Sequence, residues 1–201
     1  MIKRNVPPFC AKCSRHLELY SEDSLCPSCR EHPLAFNRSY GACLYAPPLD
    51  KLIQAFKYNG KTRLRNTFLN ILEEFIETYH VHMENFDLIA PVPLHPVRLR
   101  ERGYNQAQLI AEGLGQRYGR PVMADLLMRV KPTASQTHLT QKQRWTNLQG
   151  AFTINPSVEI ADKNILLVDD LLTTKATANA AASVLKNHSA AIVSVITLGI
   201  T

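Results

Sequence analysis

The sequence has no run of about 20 consecutive apolar residues, which is the length that a membrane-spanning helix needs. Basic residues stand near its start, at Lys3 and Arg4. Neither an apolar stretch nor a small-residue cleavage site follows them, as both would in a secretory signal peptide. We also find no internal repeat and no low-complexity tract. These absences argue against a secreted, membrane-inserted or repeat protein, and we expect a cytoplasmic globular one.

The composition is that of an ordinary globular protein, with 201 residues of which 45% are hydrophobic and 20% charged. That length suits one well-cored domain with a small appendage. The net charge is +6, and segment 91–150 alone carries nine basic and three acidic residues. Its basic residues are Arg98, Arg100, Arg102, Arg117, Arg120, Arg129, Lys131, Lys142 and Arg144. Such a surplus suits nucleic acid or a pyrophosphorylated small molecule, or else forms a solvated basic face.

Four of the five cysteines follow the pattern C-x2-C-x12-C-x2-C, at Cys10, Cys13, Cys26 and Cys29. Two such pairs complete the tetrahedron of a closed structural zinc site, and metal binding would then supply much of the segment's folding free energy. The alternative is two disulfides, which the odd fifth cysteine and the absence of a signal peptide disfavour. We expect Cys43 to be a small core residue, and His16 and His32 to be surface residues rather than ligands.

The remaining pattern predicts strands that alternate with helices. Strands are expected at 41–45, 86–93, 164–168 and 191–198, with a further strand and loop within 122–139, and helices at 49–58, 61–80, 104–118, 140–148 and 176–186. Continuously apolar strands between helices indicate a parallel sheet that is covered on both faces. The predicted fold is therefore α/β, a parallel sheet flanked by helices. A zinc-binding module at 1–39 precedes it, and the main domain spans 40–201.

The sharpest chemical motif follows the buried strand that begins at Ile165. Two carboxylates, Asp169 and Asp170, are succeeded by Thr173, Thr174 and Thr177 at the start of a helix. The carboxyl end of a parallel strand and the N-terminus of a helix together suit a phosphate, and the carboxylates can bind ribose hydroxyls or lie near hydrated Mg²⁺. The alternative is a helix cap without a ligand. The number and spacing of these residues favour the phosphate site.

Val168-Asp-Asp-x-x-Thr-Thr-x-x-Thr177 resembles the phosphoribosyl pyrophosphate (PRPP) signature of type I phosphoribosyltransferases. In its ordered set of motifs, nearly the whole chain resembles the ComF family. These motifs are the paired cysteines, Phe56-Lys-Tyr-Asn-Gly60, Asp87-Leu-Ile-Ala-Pro-Val-Pro-Leu94, Arg98-Leu-Arg-Glu-Arg-Gly-Tyr-Asn-Gln106, Arg129-x-Lys-x-Thr-x-Ser-Gln-x-x-Leu139, Arg144-x-x-Asn147 and Gly150-Ala-Phe152.

The resemblance implies a type I phosphoribosyltransferase-like domain with a PRPP site. Asp169 and Asp170 would meet the ribose with Mg²⁺ nearby, and Thr173, Thr174 and Thr177 would hold the 5′-phosphate. Arg98 and Arg102 belong to the loop that resembles the pyrophosphate-facing one, and 129–136 resembles the mobile loop that closes over the substrate. Lys175 stands where the family pattern has glycine. A lysine there either hinders the backbone's approach to phosphate and its positive φ, or pairs its ammonium with the phosphate.

Two functions follow as hypotheses from the resemblance and the charge. In one, the protein handles incoming single-stranded DNA during natural transformation, with a helicase and recombination proteins as partners. The DNA would lie on Arg98, Arg100, Arg102, Arg129, Lys131 and Arg144, and Tyr104, Tyr118 and Trp145 either stack on bases or pack in the core. In the other, it is a Mg²⁺-dependent phosphoribosyltransferase that acts on a nucleobase or another small acceptor. A zinc-stapled scaffold that docks proteins is a third, blander alternative.

Overall fold

Four parallel strands form the central sheet of the protein in the computed structural model, which describes residues 1–18, 24–131, 148 and 150–201. The strands, in chain order, are β1 (Arg38–Leu44), β2 (Leu88–Pro91), β3 (Leu127–Arg129), β4 (Phe152–Ile154), β5 (Asn164–Leu172) and β6 (Ile192–Ile200). The central sheet has the order β1-β6-β5-β2, while β3 and β4 form a separate antiparallel pair. The predicted α/β class with a parallel sheet is confirmed.

Helices cover both faces of this sheet. They are α1 (Pro27–Glu31), α2 (Leu49–Tyr58), α3 (Leu64–Thr78), α4 (Pro96–Arg102), α5 (Gln106–Tyr118) and α6 (Ala176–Asn187), with a 3-10 turn at Met83–Asn85. The side chains of β5 alternate between two apolar clusters. Ile165 and Leu167 join the cluster that contains α6, whereas Leu166 and Val168 join the one that contains α2, α3 and α5. The absence of polar alternation in β5 thus reflects burial on both faces.

The predicted elements differ from the structure in identifiable places. Strand β5 continues through Asp169 and Asp170 to Leu172, four residues beyond the predicted end at Val168. Helices α1 and α4 and the pairing of β3 with β4 were not predicted, although β3 lies within the expected 122–139 segment. The helix expected at 140–148 lies, apart from its last residue, outside the described residues. No described helix is both long and apolar enough to span a membrane.

The N-terminal segment packs directly on the main sheet. Its four paired cysteines belong to the same apolar cluster as Ile165, Leu167 and the buried alanines of α6. Backbone hydrogen bonds join Asn5 to Ala42 and Ser39 to Lys12, so the segment also lies along β1. The predicted boundary near residue 39 stays a prediction. This packing places the four paired cysteines beside α6.

Candidate functional site

A cavity of about 470 Å³ opens at the edge of the sheet where β2 and β5 end. The segment Val92–His95, which follows β2, forms one wall, and Asp169–Leu171 of β5 forms another. Because all four central strands are parallel, their carboxyl ends meet at this edge, where ligands bind in open α/β sheets. The cavity therefore includes Asp169 and Asp170 of the predicted motif, and the phosphate ligand stays a prediction.

Lys57 of α2 forms an ion pair with Asp170 in the cavity wall. Both side chains are mostly buried, with 18% of Lys57 and 12% of Asp170 exposed. Burial lowers the pKa of Lys57, but the carboxylate of Asp170 outweighs that effect and holds the pKa above its usual value. Lys57 is thus a charged ammonium at neutral pH, and it holds the Asp170 carboxylate in place.

Asp169 lies next to this pair and is half-buried. Burial, with the adjacent carboxylate of Asp170, raises the pKa of Asp169 well above its ordinary value. One of its oxygens accepts a hydrogen bond of 2.8 Å from the backbone N–H of Asp170. The two adjacent carboxylates therefore repel one another, and a cation or hydroxyl donors from a ligand would relieve that repulsion.

Three arginines bring further positive charge to the cavity: Arg98, Arg102 and Arg129. Arg102 donates to Gln106 Oε1 at 2.7 Å, and its guanidinium lies 4.9 Å from the centroid of the Tyr58 ring. Burial lowers the pKa of Arg129, and the nearby Asp169 carboxylate opposes that shift. With Lys57, four cations face two carboxylates, so the cavity suits an anion that also carries hydroxyl groups.

The predicted phosphate loop, residues 173–177, follows β5 and includes the first two residues of α6. Thr173 and Thr177 line the cavity, whereas Thr174 is half-buried and does not belong to its wall. Lys175 has φ 64° and ψ −9°, the left-handed conformation that favours glycine. The backbone therefore has a positive φ that a glycine adopts without strain, although a lysine occupies the position.

The Lys175 side chain does not line the cavity. Its Nζ lies 2.8 Å from Ser28 Oγ and 3.8 Å from Cys29 Sγ, and only 7% of the residue is exposed. The expectation that a lysine here hinders the approach of the backbone to a phosphate stays a prediction. The positive φ is achieved, and the ammonium lies at the cysteines rather than at the expected phosphate position.

The cysteine cluster consists of Cys10, Cys13, Cys26 and Cys29, whose sulfurs all lie within 4.8 Å of one another. Cys13 Sγ and Cys26 Sγ are 3.6 Å apart, too far for a disulfide of about 2.05 Å. Tetrahedral coordination with metal–sulfur bonds of about 2.3 Å places sulfurs about 3.8 Å apart. The cluster thus fits a tetrahedral metal ion, and all five cysteines are free thiols.

The environment of these sulfurs differs from one cysteine to the next. Burial opposes ionisation of Cys10, but backbone N–H groups of Cys13, Cys26 and Lys12 outweigh it and lower the pKa to about 7. Burial raises the pKa of Cys29 to about 11 and also raises that of Cys13. Four buried thiols with unequal pKa values become four thiolates once a metal ion binds them.

Other described residues that the sequence analysis names lie away from both the cavity and the cysteine cluster. Arg100 is exposed on α4 and Lys131 is exposed beyond β3, and neither lines the cavity, while Arg144 and Trp145 lie outside the described residues. Tyr104 donates to the Phe56 carbonyl, and both Tyr104 and Tyr118 pack against the apolar cluster of α2, α3 and α5. These two tyrosines have packing roles. Cys43, fully buried in β1, is the core residue that the sequence predicts.

Known relatives match the chain over most of its length. Competence protein F of Haemophilus influenzae is 30% identical over 184 residues, which cover 89% of this chain and 79% of that protein. The chain belongs to the ComF family. Two further ComF-family relatives are the DNA utilization protein YhgH of Escherichia coli K12 and competence protein ComFC of Streptococcus pneumoniae. YhgH is 28% identical over 93% of this chain and 88% of its own length. ComFC is 28% identical over 90% of this chain and 83% of its own length. No protein-family model matches.

Membership of the ComF family confirms the resemblance that the ordered motifs indicate. One feature that the motifs did not reveal is the role of Lys57, which lies inside Phe56-Lys-Tyr-Asn-Gly60. This residue and Asp170 are 113 positions apart in the sequence, and the fold brings helix α2 and strand β5 close enough for them to form an ion pair. Tyr45, Gln54 and Asn105 of the cavity wall were likewise not predicted.

Proposed function

We propose that this ComF-family protein takes part in natural transformation by handling incoming single-stranded DNA, and that its cavity binds PRPP with Mg²⁺. The names of its relatives, competence protein and DNA utilization protein, support the first part. The second part rests on one observation: Lys57 and three arginines surround the Asp169–Asp170 pair in one cavity.

The cavity's chemistry matches each part of PRPP. The carboxylates of Asp169 and Asp170 would accept hydrogen bonds from ribose hydroxyls, with hydrated Mg²⁺ close to them. Thr173, Thr177 and the start of α6 would hold the 5′-phosphate. Arg98, Arg102 and Arg129 would face the pyrophosphate, whose charge a bidentate guanidinium matches well. The domain would then be of the type I phosphoribosyltransferase-like kind.

We propose zinc as the ion of the cysteine cluster, because four thiolates in a tetrahedron form a closed structural zinc site. No coordination position is left for a substrate in such a site, so its contribution is to folding and to the position of α1. Chelation should therefore lower the stability of the N-terminal segment, and addition of zinc should restore it.

DNA would lie across the exposed helix α4, which begins after His95 and carries Arg98, Arg100 and Arg102. None of its residues is buried, and Val97 and Leu99 are also exposed there. Lys131 and Arg144 are further proposed DNA contacts, of which Arg144 lies outside the described residues, and a helicase and recombination proteins would act on the same DNA. Phosphate contacts at these cations predict binding that weakens steeply with salt.

The DNA part is tested by fluorescence titration of labelled oligonucleotides at several salt concentrations. Reversing Arg98, Arg100 and Arg102 to glutamate should lower the slope of log affinity against log salt by about 2, since each single-strand phosphate contact contributes about 0.7. The control is a triple reversal to glutamate at Lys61, Arg63 and Lys163, which are exposed and lie outside α4. It should change the salt slope less. Binding that is indifferent to salt, or equal in both variants, would refute this surface.

A second candidate function is phosphoribosyl transfer, which Tyr45, Gln54 and Tyr58 in the cavity wall favour because aromatic and amide groups suit a small planar acceptor. The acceptor would form a bond to the anomeric carbon while the carbon–oxygen bond to pyrophosphate breaks. Pyrophosphate would leave with the bonding electrons, and the acceptor's proton would pass to water. Pyrophosphate release that requires an acceptor, and that is lost in Asp169→Asn with Asp170→Asn, would establish the activity.

A further inference from the structure

Lys175 is a buried cation that the proposed ligand site does not use. Its ammonium extends away from the cavity and contacts Ser28 Oγ at 2.8 Å and Cys29 Sγ at 3.8 Å, both at helix α1. A buried charge is costly unless a partner of opposite charge compensates for it. The residues around Lys175 must therefore supply that partner.

The cysteine cluster is the partner of suitable charge. Four thiolates around a divalent ion carry a net charge of −2, and an ammonium 3.8 Å from one sulfur offsets half of it. Ser28 accepts a second hydrogen bond from the same ammonium and so fixes its direction. Occupancy of the cluster by a metal ion thus determines how strongly the Lys175 side chain is held.

The same residue sets the backbone of the phosphate loop. With φ 64°, Lys175 adopts a left-handed conformation that a residue with a side chain adopts only at a cost. Its carbonyl accepts the N–H of Asn179 in the first turn of α6. Thr173 and Thr177, which line the cavity, stand two residues to either side. The contacts of the ammonium therefore offset the strain in the loop.

We propose that Lys175 is a positioning residue that couples metal binding at the cysteine cluster to anion binding at the phosphate loop. The metal–thiolate cluster holds the ammonium, the ammonium holds residue 175 in the left-handed conformation, and that conformation directs Thr173 and Thr177 toward the cavity. The proposal rests on the proposed PRPP site. Because linkage is reciprocal, PRPP must raise zinc affinity by the same factor by which zinc raises PRPP affinity.

Two variants separate the charge of Lys175 from its backbone conformation. Lys175→Met keeps the length and the strained φ but removes the ammonium, so it should weaken both zinc and PRPP binding about tenfold, within the usual range of coupling factors. Lys175→Gly adopts positive φ without strain. It should bind PRPP nearly as the wild type does, yet show no linkage to zinc. Lys163→Met, at an exposed lysine, is the matched control.

Zinc affinity is measured by competition with a chromogenic chelator, with and without saturating PRPP and Mg²⁺. We expect wild type and Lys163→Met to hold zinc about tenfold more tightly with PRPP, and both variants at position 175 to show no change. Linkage that persists undiminished in Lys175→Met and Lys175→Gly would overturn the proposal. So would wild-type zinc affinity that does not respond to PRPP although PRPP binds.

Failure of the proposed PRPP site can be distinguished from failure of the proposed coupling. If wild type binds no PRPP, hydrogen exchange of residues 173–177 in the zinc-loaded proteins decides the coupling. Exchange about tenfold faster in Lys175→Met than in Lys163→Met supports a role for the ammonium in shaping the loop, since local opening governs exchange. Equal exchange in the two proteins would overturn it.

Discussion

Replacing Lys57 with methionine removes the cation that faces Asp170 and leaves a mostly buried carboxylate without its partner. With 18% of Lys57 and 12% of Asp170 exposed, the pair lies close to the fully buried limit. Breaking a buried pair on one side costs about 3–5 kcal/mol, and the residual exposure places this one near 3 kcal/mol. For a chain of about 200 residues, we expect the midpoint of thermal unfolding to fall by roughly 10 °C.

The measurement is urea denaturation of the zinc-loaded protein at neutral pH. The double variant Lys57→Met, Asp170→Leu should recover most of the loss, because replacing both partners with apolar groups avoids the unpaired charge. Lys51→Met, an exposed lysine on the same helix, should stay within about 0.5 kcal/mol of wild type. A cost below about 1 kcal/mol for Lys57→Met, or a double variant as unstable as the single one, would refute this argument.

The stability difference between wild type and Lys57→Met depends on pH in a way that follows from the raised pKa of Lys57. A lysine whose folded pKa exceeds its unfolded value stabilises the fold fully below the unfolded pKa, about 10.4, and loses that effect as pH rises through the folded pKa. The stability difference between wild type and Lys57→Met should therefore be constant from about pH 6 to 9 and shrink only at strongly alkaline pH. A difference that disappears near neutrality would contradict the assignment.

Two further predictions concern the carboxylates and the cysteines. Asp169→Asn should raise the free energy of unfolding by roughly 1 kcal/mol at pH 8, because it removes a carboxyl group whose ionised form is disfavoured in the fold by burial and by Asp170. The gain should fade as pH falls through the raised folded pKa toward about 3.9, where wild-type Asp169 is protonated in both states; a gain unchanged at pH 3 would count against it. Elemental analysis should find one zinc per chain in wild type and in Cys43→Ala but not in Cys13→Ser, and zinc retained by Cys13→Ser would rule out the cluster.

Periodicity predicted the helices and strands whose apolar residues face the core. Helix α2 matches the expected bounds of 49–58, and α5 differs only at its start. Helix α4 was missed because none of its residues is buried, so it has no apolar stripe. Only Pro96 at its first turn and Gly103 at its end mark it in the sequence. Strand β5 is longer than predicted because it pairs with β6, where Asp169 lies opposite Thr197. This pairing overrides the low strand propensity of aspartate.

The candidate site was predictable where its residues are neighbours in the sequence. Asp169, Asp170, Thr173 and Thr177 form one motif, and the cysteine spacing alone indicates a metal site. Contacts between distant segments were not predictable. Lys57 of α2 contacts Asp170 of β5, and Lys175 contacts Cys29 over 146 positions, because the fold packs together elements that are distant in the sequence. The sequence alone did not predict that the Lys175 ammonium lies at the cysteines rather than at the expected phosphate position.

Calorimetric titration of the zinc-loaded protein with PRPP determines whether the cavity binds PRPP with Mg²⁺. We predict one PRPP bound per chain in the presence of Mg²⁺. Binding should be at least tenfold weaker in the double variant Asp169→Asn, Asp170→Asn, which removes both carboxylates that we propose face the ribose. Absence of heat from the wild type, or equal binding by the double variant, would contradict the account.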